Sequence, residues 1–320
     1  MKVMFVTNKS IYSINEGRSG WNMLTHIFKE KFKIKCLRKQ DLLFFYFHYL
    51  KFKPDLIVGS WVPAGIIPIL FKLAGLVNCP IVHAWDDYYA EQMTKYPNFI
   101  VRLMELFAVK FSDYITTMSK YNQGIAEHMG KKVFFIPHGV SMEKNKTKIN
   151  LDKLKVETKN IKAIYLGEQS KYKKVDEIIK AVNGLNCDLF LFGKTNEEFR
   201  EIASKNVHFM GYVDPREVFS ILEQADILIN PSDQDSNFKF FEYIRVGKPI
   251  LCFNGRPKFL FKHKENAYLT KDFKLGLKEL IENKKLREKL EKNLKKMKTL
   301  TWEQVAEEHI KVYKEAIKKC

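Results

Sequence analysis

Residues 225–251 read Ala225-Asp226-Ile227-Leu228-Ile229-Asn230-Pro231-Ser232-Asp233-Gln234-Asp235-Ser236-Asn237-Phe238-Lys239-Phe240-Phe241-Glu242-Tyr243-Ile244-Arg245-Val246-Gly247-Lys248-Pro249-Ile250-Leu251. Ile227-Leu228-Ile229 is a short apolar run closed by Asn230-Pro231, the mark of a strand buried on both faces. A polar loop follows, opened by Pro231-Ser232. Then comes a segment of helical length that stops at Gly247 and leads into a second apolar run. Strand, loop, helix, strand is the repeating unit of a doubly wound parallel sheet. The first turn of the helix offers free backbone N–H groups and the positive end of a dipole, which suit an anionic ligand. Glu242, inside that helix, is a candidate acceptor for a pair of vicinal hydroxyls such as those of a ribose.

The same scheme extends in both directions. Upstream lie strand-like runs at Lys162–Gly167, Asp188–Gly193 and Val207–Met210, with Pro249–Cys252 closing the series. Before them, Lys2–Val6, Asp55–Gly59, Pro80–Trp85, Asp113–Thr117 and Val133–Ile136 form another series separated by helix-length segments. Between the two series the chain turns polar and lysine-rich, as linkers do. The expectation is therefore α/β, with two doubly wound (Rossmann-like) parallel-sheet domains facing a cleft. They span residues 1–145 and 161–301, joined by a linker at 146–160. The charged tail from Phe273 to Lys319 is helical in period, and a final helix at about 302–320 is expected to pack back on the first domain.

Composition narrows the function classes. The chain has 320 residues, 46% hydrophobic and 13% aromatic, ample for real cores. Five scattered cysteines without a paired spacing argue against a disulfide framework or a zinc site. The opening apolar run, Met1–Val6, is too short for a secretory signal, and no stretch is long enough to span a bilayer. The expected location is the cytoplasm, with peripheral membrane contact as an extension. The net charge of +18 fits phosphate-bearing ligands, an anionic membrane surface, or simple solubility. No nucleic-acid motif is present, so nucleic acid ranks last.

With these residues in view, a resemblance becomes specific. Phe241-Glu242-Tyr243 and Gly247-Lys248-Pro249-Ile250 resemble the donor-binding segment of the family 4 (group 1) glycosyltransferases of GT-B fold. That family often carries two glutamates eight positions apart; here the second is Glu242, while the earlier position is Gln234 with Asp235 beside it. Tyr165-Leu166-Gly167-Glu168-Gln169-Ser170-Lys171-Tyr172-Lys173-Lys174 is similar to the family's strand-loop-helix in which an arginine and a lysine hold a diphosphate. Lys173 falls at the lysine position, but Glu168 stands at the arginine position, which removes a bidentate phosphate ligand. Lys171, Lys174 and Arg245 are the candidates to compensate. Ile136-Pro137-His138-Gly139-Val140 and Thr117-Met118-Ser119 resemble further family turns, so the likeness runs along nearly the whole chain.

The resemblance implies a glycosyltransferase, of the hexosyl-transferring kind, acting with retention of configuration on a nucleotide-diphosphate sugar. Its implied donor contacts are Gly167, Lys173, Asp235, Ser236, Asn237, Phe238, Lys239 and Glu242. Asp86 and Asp87, at the carboxyl end of the strand Ile81–Trp85, are candidate catalytic residues beside Lys173; which of the two points inward stays open. Gly17 and Gly20 read equally as a phosphate or acceptor loop and as an ordinary flexible loop. Asp233-Gln234-Asp235 has the spacing of a metal-binding D-x-D, but no obligatory metal or other cofactor is expected, and a divalent ion remains an option. The expected acceptor is a glycan or lipid-linked hydroxyl. Residues 29–53 interleave lysines with aromatics and read either as a membrane-facing surface or as a strand and a buried helix with a basic rim. Two other functions fit the pattern: a nucleotide-sugar epimerase or phosphorylase on the same fold, and an inactive nucleotide-sugar binding protein.

Overall fold

The computed structural model describes residues 1–7, 24, 27–29, 31–60, 62, 64–86, 89–92, 97–140 and 159–319. Gly17, Gly20, Asp87 and most of the expected linker lie outside them. The chain divides into two compact units, one formed by Met1–Gly139 with Leu300–Cys320 and the other by Val140–Thr299.

The first unit contains strands β1 (Lys2–Val6), β2 (Lys33–Leu37), β3 (Leu56–Ser60), β4 (Ile81–Ala84), β5 (Tyr114–Thr117) and β6 (Val133–Phe135), all parallel, in the order β2-β1-β3-β4-β5-β6. Helices α1 (Phe45–Phe52), α2 (Ile66–Leu73), α3 (Tyr89–Gln92), α4 (Asn98–Phe111) and α5 (Lys120–His128) connect them. Val3, Val58 and Val82 face one core, and Met4, Ile57 and Ile81 face the other. That alternation is why these strands are apolar at every position: both faces are covered.

The second unit repeats the plan. Its strands are β7 (Ile161–Leu166), β8 (Cys187–Phe192), β9 (Val207–Gly211), β10 (Ile227–Asn230), β11 (Ile250–Phe253) and β12 (Tyr268–Thr270), parallel, in the order β9-β8-β7-β10-β11-β12. The helices are α6 (Val175–Ala181), α7 (Glu198–Glu201), α8 (Val218–Leu222), α9 (Phe238–Val246), α10 (Phe273–Glu282) and α11 (Lys284–Leu294). The helical tail is not continuous: Asn283 ends α10 and caps α11 by accepting from the Leu286 N–H. The last helix, α12 (Trp302–Lys318), belongs to the first unit, where Val305, Ala306 and Tyr313 join the core of Val3 and Phe5. Gly139 makes room for it, because a Cβ there would lie 2.6 Å from the Trp302 indole. Two parallel doubly wound sheets, one per unit, are the fold class expected from the alternating strand and helix pattern.

Candidate active site in the second unit

In the second sheet the chain winds outward from β7 to β9, then returns and winds the other way from β10 to β12. The reversal lies between β7 and β10, and such switch points are where open α/β sheets bind ligands. The two strands pair only at Ala163 with Ile227 and at Ile164 with Leu228. Beyond that, Tyr243 of α9 reaches in. The Leu166 N–H donates to its hydroxyl, and the hydroxyl donates to the Ile229 carbonyl, each at 3.3 Å. Burial pushes the Tyr243 phenol well above its ordinary range, so it stays a neutral donor and acceptor here. Tyr243 therefore forms the floor of the crevice, a role that a Phe-Glu-Tyr motif does not reveal by itself.

The loop after β7 carries the first group of candidates. Gly167 and Gly193 follow adjacent strands, and a Cβ on Gly193, whose φ is +125°, would come to 2.0 Å from the Gly167 carbonyl oxygen. After Gly167 the chain makes a 3₁₀ turn at Lys171–Lys173 and enters α6 through Lys174, a left-handed residue with φ 57°. Lys173 Nζ lies 3.6 Å from the Glu168 carboxylate, so the candidate phosphate lysine faces the residue at the expected arginine position. Of the compensating cations, Lys171 is bonded to Glu198 at 2.8 Å and Lys174 lies 3.7 Å over the Phe253 ring. Arg245 is exposed in the last turn of α9.

The loop after β10 carries the second group. Asn230 Oδ1 accepts from the Ser232 N–H, and Asn237 Oδ1 caps α9 by accepting from the Lys239 N–H at 3.0 Å. Asp235 and Ser236 are buried within the loop. Asp233 points elsewhere: it accepts from the Arg256 N–H at 2.7 Å and rests on Gly255, where a Cβ would reach 2.0 Å from its oxygen. The two aspartates of the D-x-D thus differ in surroundings, and among the described residues no three His, Cys, Asp or Glu side chains group as metal ligands. Gln234 Nε2 donates to the Tyr172 hydroxyl at 3.0 Å, tying the two loops together across the switch point. Lys239 Nζ bonds the Glu242 carboxylate at 3.1 Å and stands 4.2 Å over the Phe238 ring.

In the first unit, Asp86 is buried at the carboxyl end of β4, near Tyr313 of α12. The preceding residue is held firmly. The Trp85 carbonyl accepts from Thr117 Oγ1 at 2.6 Å, and its indole N–H donates to Glu105 at 3.3 Å. Glu105 is fully buried; desolvation raises its carboxyl pKa, opposed by Trp85, Arg102 and the Tyr89 N–H. A lone glutamate in an amphipathic helix carries no sequence signal of such burial. His83 is buried in β4 with its pKa lowered to about 4 by desolvation, which fits a packing role.

Comparison with known proteins agrees with this architecture. Residues 146–297 match the family described as glycosyl transferases group 1. The fold is similar to that of a sucrose-phosphate synthase from Thermosynechococcus elongatus (TM-score 0.79, 12% identity, covering 100% of this chain and 99% of that one). It is also similar to HepE of Anabaena in complex with UDP and glucose (0.73, 14%, 98% and 99%). A lipopolysaccharide outer core galactosyltransferase, WaaB, in its apo form gives 0.68 at 12% identity, with 98% of this chain and 99% of that one covered. No curated protein sequence matches the chain. The architecture is GT-B. The matched segment, residues 146–297, takes in all six strands of the second sheet, β7 to β12.

Proposed function

We propose that the protein is a retaining transferase that takes a hexose from a nucleotide-diphosphate sugar bound at the β7/β10 switch point. The acceptor in this reading is a hydroxyl of a glycan or glycolipid, met at the cytoplasmic face of a membrane. The observation that carries it is the bond of Gln234 to the Tyr172 hydroxyl at 3.0 Å, which joins the loop of Lys173 to the loop that opens α9 across one strand reversal, with Tyr243 bonded to both strands beneath. A diphosphate leaving group needs cationic and N–H donors fixed before it departs, because stabilising developing charge is usually the largest catalytic contribution. Lys173 supplies the cation, and the α9 amides add to it only where a phosphate displaces the Asn237 side chain, which already accepts from the Lys239 N–H. Gly167 lies in the same loop as Lys173. Asp235 and Ser236 shape the loop that holds those amides, and Phe238 packs beside Lys239. Glu242 takes the ribose hydroxyls.

No carboxylate on the donor side is placed as a nucleophile in this reading. Same-face attack follows, with the departing phosphate taking the acceptor proton; Asp86 and Asp87 stay the catalytic candidates of the first unit. UDP in the HepE complex favours a uridine donor as the first to test. A putative UDP-N-acetylglucosamine 2-epimerase from Listeria monocytogenes shares the fold at a TM-score of 0.65, which keeps epimerisation as the second reading. A thermal-shift series with UDP-, GDP- and ADP-sugars identifies the donor, since stabilisation follows affinity. Release of nucleoside diphosphate together with a new glycosidic bond separates transfer from epimerisation. An unchanged melting temperature with all three donor classes would sink the reading.

A further inference from the structure

Three neighbouring helices of the first unit, α1, α2 and α4, pack on the same side of its sheet, where Phe45, Ile69, Val101 and Ala108 share one core. Their inner faces are spent on that core. Their outer faces are also apolar. Of the seventeen large hydrophobic side chains exposed among the described residues, eleven lie on these helices or their flanking turns. Leu43, Phe47 and Leu50 stand one above another at helical spacing and are 91%, 62% and 50% exposed. Leu70 and Leu73 do the same on α2, and Phe99 and Leu103 on α4. Isolated exposed hydrophobics are ordinary; a set confined to three adjacent helices marks a surface that meets something apolar.

Charge identifies the partner. The three helices carry Lys51, Lys72, Arg102 and Lys110, and their single acidic residue is Glu105, which is buried. No carboxylate of these helices is exposed, although the chain has 37 acidic residues. Long basic side chains can lie along apolar surface while their charged ends reach outward, as Lys110 does 5.5 Å from the Phe111 ring. The flanking turns hold Asp41, Asp55 and Asp113. Asp113 is bonded to Lys72 at 2.6 Å, and Arg102 to Glu105 at 3.3 Å. That leaves Lys51 and Lys110 among the exposed apolar side chains to meet the headgroup layer of an anionic bilayer. Among the described residues no helix is long and apolar enough to cross a membrane, so contact on this face is interfacial. A cavity of about 370 Å³ opens between α1 and the end of α2, lined by Tyr46, Tyr49, Lys53 and Asn78 among others, and adds a polar recess at the edge of the face.

We infer that the outer face of α1, α2 and α4 docks the protein on an anionic membrane surface. This deepens the reading of a lipid-carried acceptor and rests on it for its biological sense, but the physical contact is tested without any sugar. The test is co-sedimentation of the full chain with vesicles of phosphatidylcholine alone and of phosphatidylcholine with about a third phosphatidylglycerol, at low and high salt. The double variant Leu43→Ser/Phe47→Ser and the variant Leu103→Ser remove apolar surface without touching a core. Tyr212→Ser and Leu275→Ser, exposed in the second unit, are the controls.

The expected result is binding to the anionic vesicles, weakened at least tenfold by high salt, by omission of phosphatidylglycerol and by the face variants, with the controls unchanged. Absence of vesicle binding, or equal loss in the controls, overturns the inference. So does a concentration-dependent dimer in analytical ultracentrifugation that the face variants dissolve, because a second copy is then the occupant. Donor thermal shifts measured on the same variants keep the two readings apart. Vesicle binding without any donor shift would leave the docking face standing and remove the transferase site.

Discussion

The ammonium of Lys239 lies 3.1 Å from the carboxylate of Glu242, one turn along α9, and Glu242 is only 2% exposed. A ribose bound at this carboxylate, as proposed above, would share it with Lys239. Glu242→Gln preserves the shape but weakens the diol contact. We expect the donor KM to rise about tenfold, equivalent to about 1.4 kcal/mol, with kcat little changed. Initial rates over a donor series check this. A fall in kcat at constant KM would place Glu242 in the chemical step.

Lys173 faces Glu168 at 3.6 Å, and Glu168 is largely exposed. The pair contributes little to stability, as exposed ion pairs do. Its consequence is for binding: the carboxylate stands next to the place proposed for a diphosphate. Glu168→Ala should tighten nucleoside diphosphate binding by about three- to tenfold, and Lys173→Ala should weaken it by at least as much. Isothermal titration reads both. Weaker binding in Glu168→Ala would mean that this carboxylate holds Lys173 in position.

Tyr243→Phe removes the hydroxyl between β7 and β10 and leaves the Leu166 N–H without its acceptor. A buried unsatisfied donor costs about 1–3 kcal/mol. The urea midpoint should fall accordingly at unchanged slope, and donor affinity should fall with it because the crevice floor loosens. Lost stability with unaltered donor affinity would show that the floor and the site are independent.

These relationships explain what could be read beforehand. Strands such as Ile227–Asn230 and Leu56–Ser60 announce themselves because burial on both faces leaves unbroken apolar runs. The edge strand Lys33–Leu37 is half-buried and alternates with lysine, so it reads equally as part of a surface. Tyr268–Thr270 is three residues long, too short for any pattern. The chemistry-bearing loops were legible as motifs, but their partners were not. That Gln234 meets Tyr172, or that Asp233 turns away to the Arg256 N–H, depends on side-chain contacts across 62 and 23 residues of chain.

Gly193 and Gly184 both have positive φ, 125° and 76°, yet their surroundings differ. At Gly184 a Cβ meets nothing within 4 Å, and alanine costs only the backbone strain, about 1 kcal/mol. At Gly193 the same atom comes to 2.0 Å from the Gly167 carbonyl oxygen and forces β7 and β8 apart at the site. Gly193→Ala should lower the melting temperature several times more than Gly184→Ala and also abolish the donor-induced shift. Differential scanning fluorimetry of the two variants decides it. Equal losses would mean that the strand ends part easily.

Two buried histidines give the first unit an acid sensitivity of known sign. Desolvation holds His83 down to about 4 and His309, against Phe28 and Tyr313, down to about 3. In the unfolded chain both imidazoles titrate near 6.5. Below that pH the unfolded state therefore binds protons that the native state refuses. The stability is fully present above about 6.5 and is lost as pH falls towards 4 for His83 and 3 for His309. Each unit of depression corresponds to about 1.4 kcal/mol, so one such histidine costs about 2 kcal/mol between pH 7.5 and 5. Most carboxylates titrate below that window, which leaves the change largely to imidazoles. His309→Phe keeps an aromatic ring among Phe28 and Tyr313 and removes one titrating site. The difference in unfolding free energy between pH 7.5 and pH 5 should shrink by about 2 kcal/mol in this variant. An undiminished difference would mean that His309 gains a proton without the unit unfolding, and that its burial is not maintained in solution.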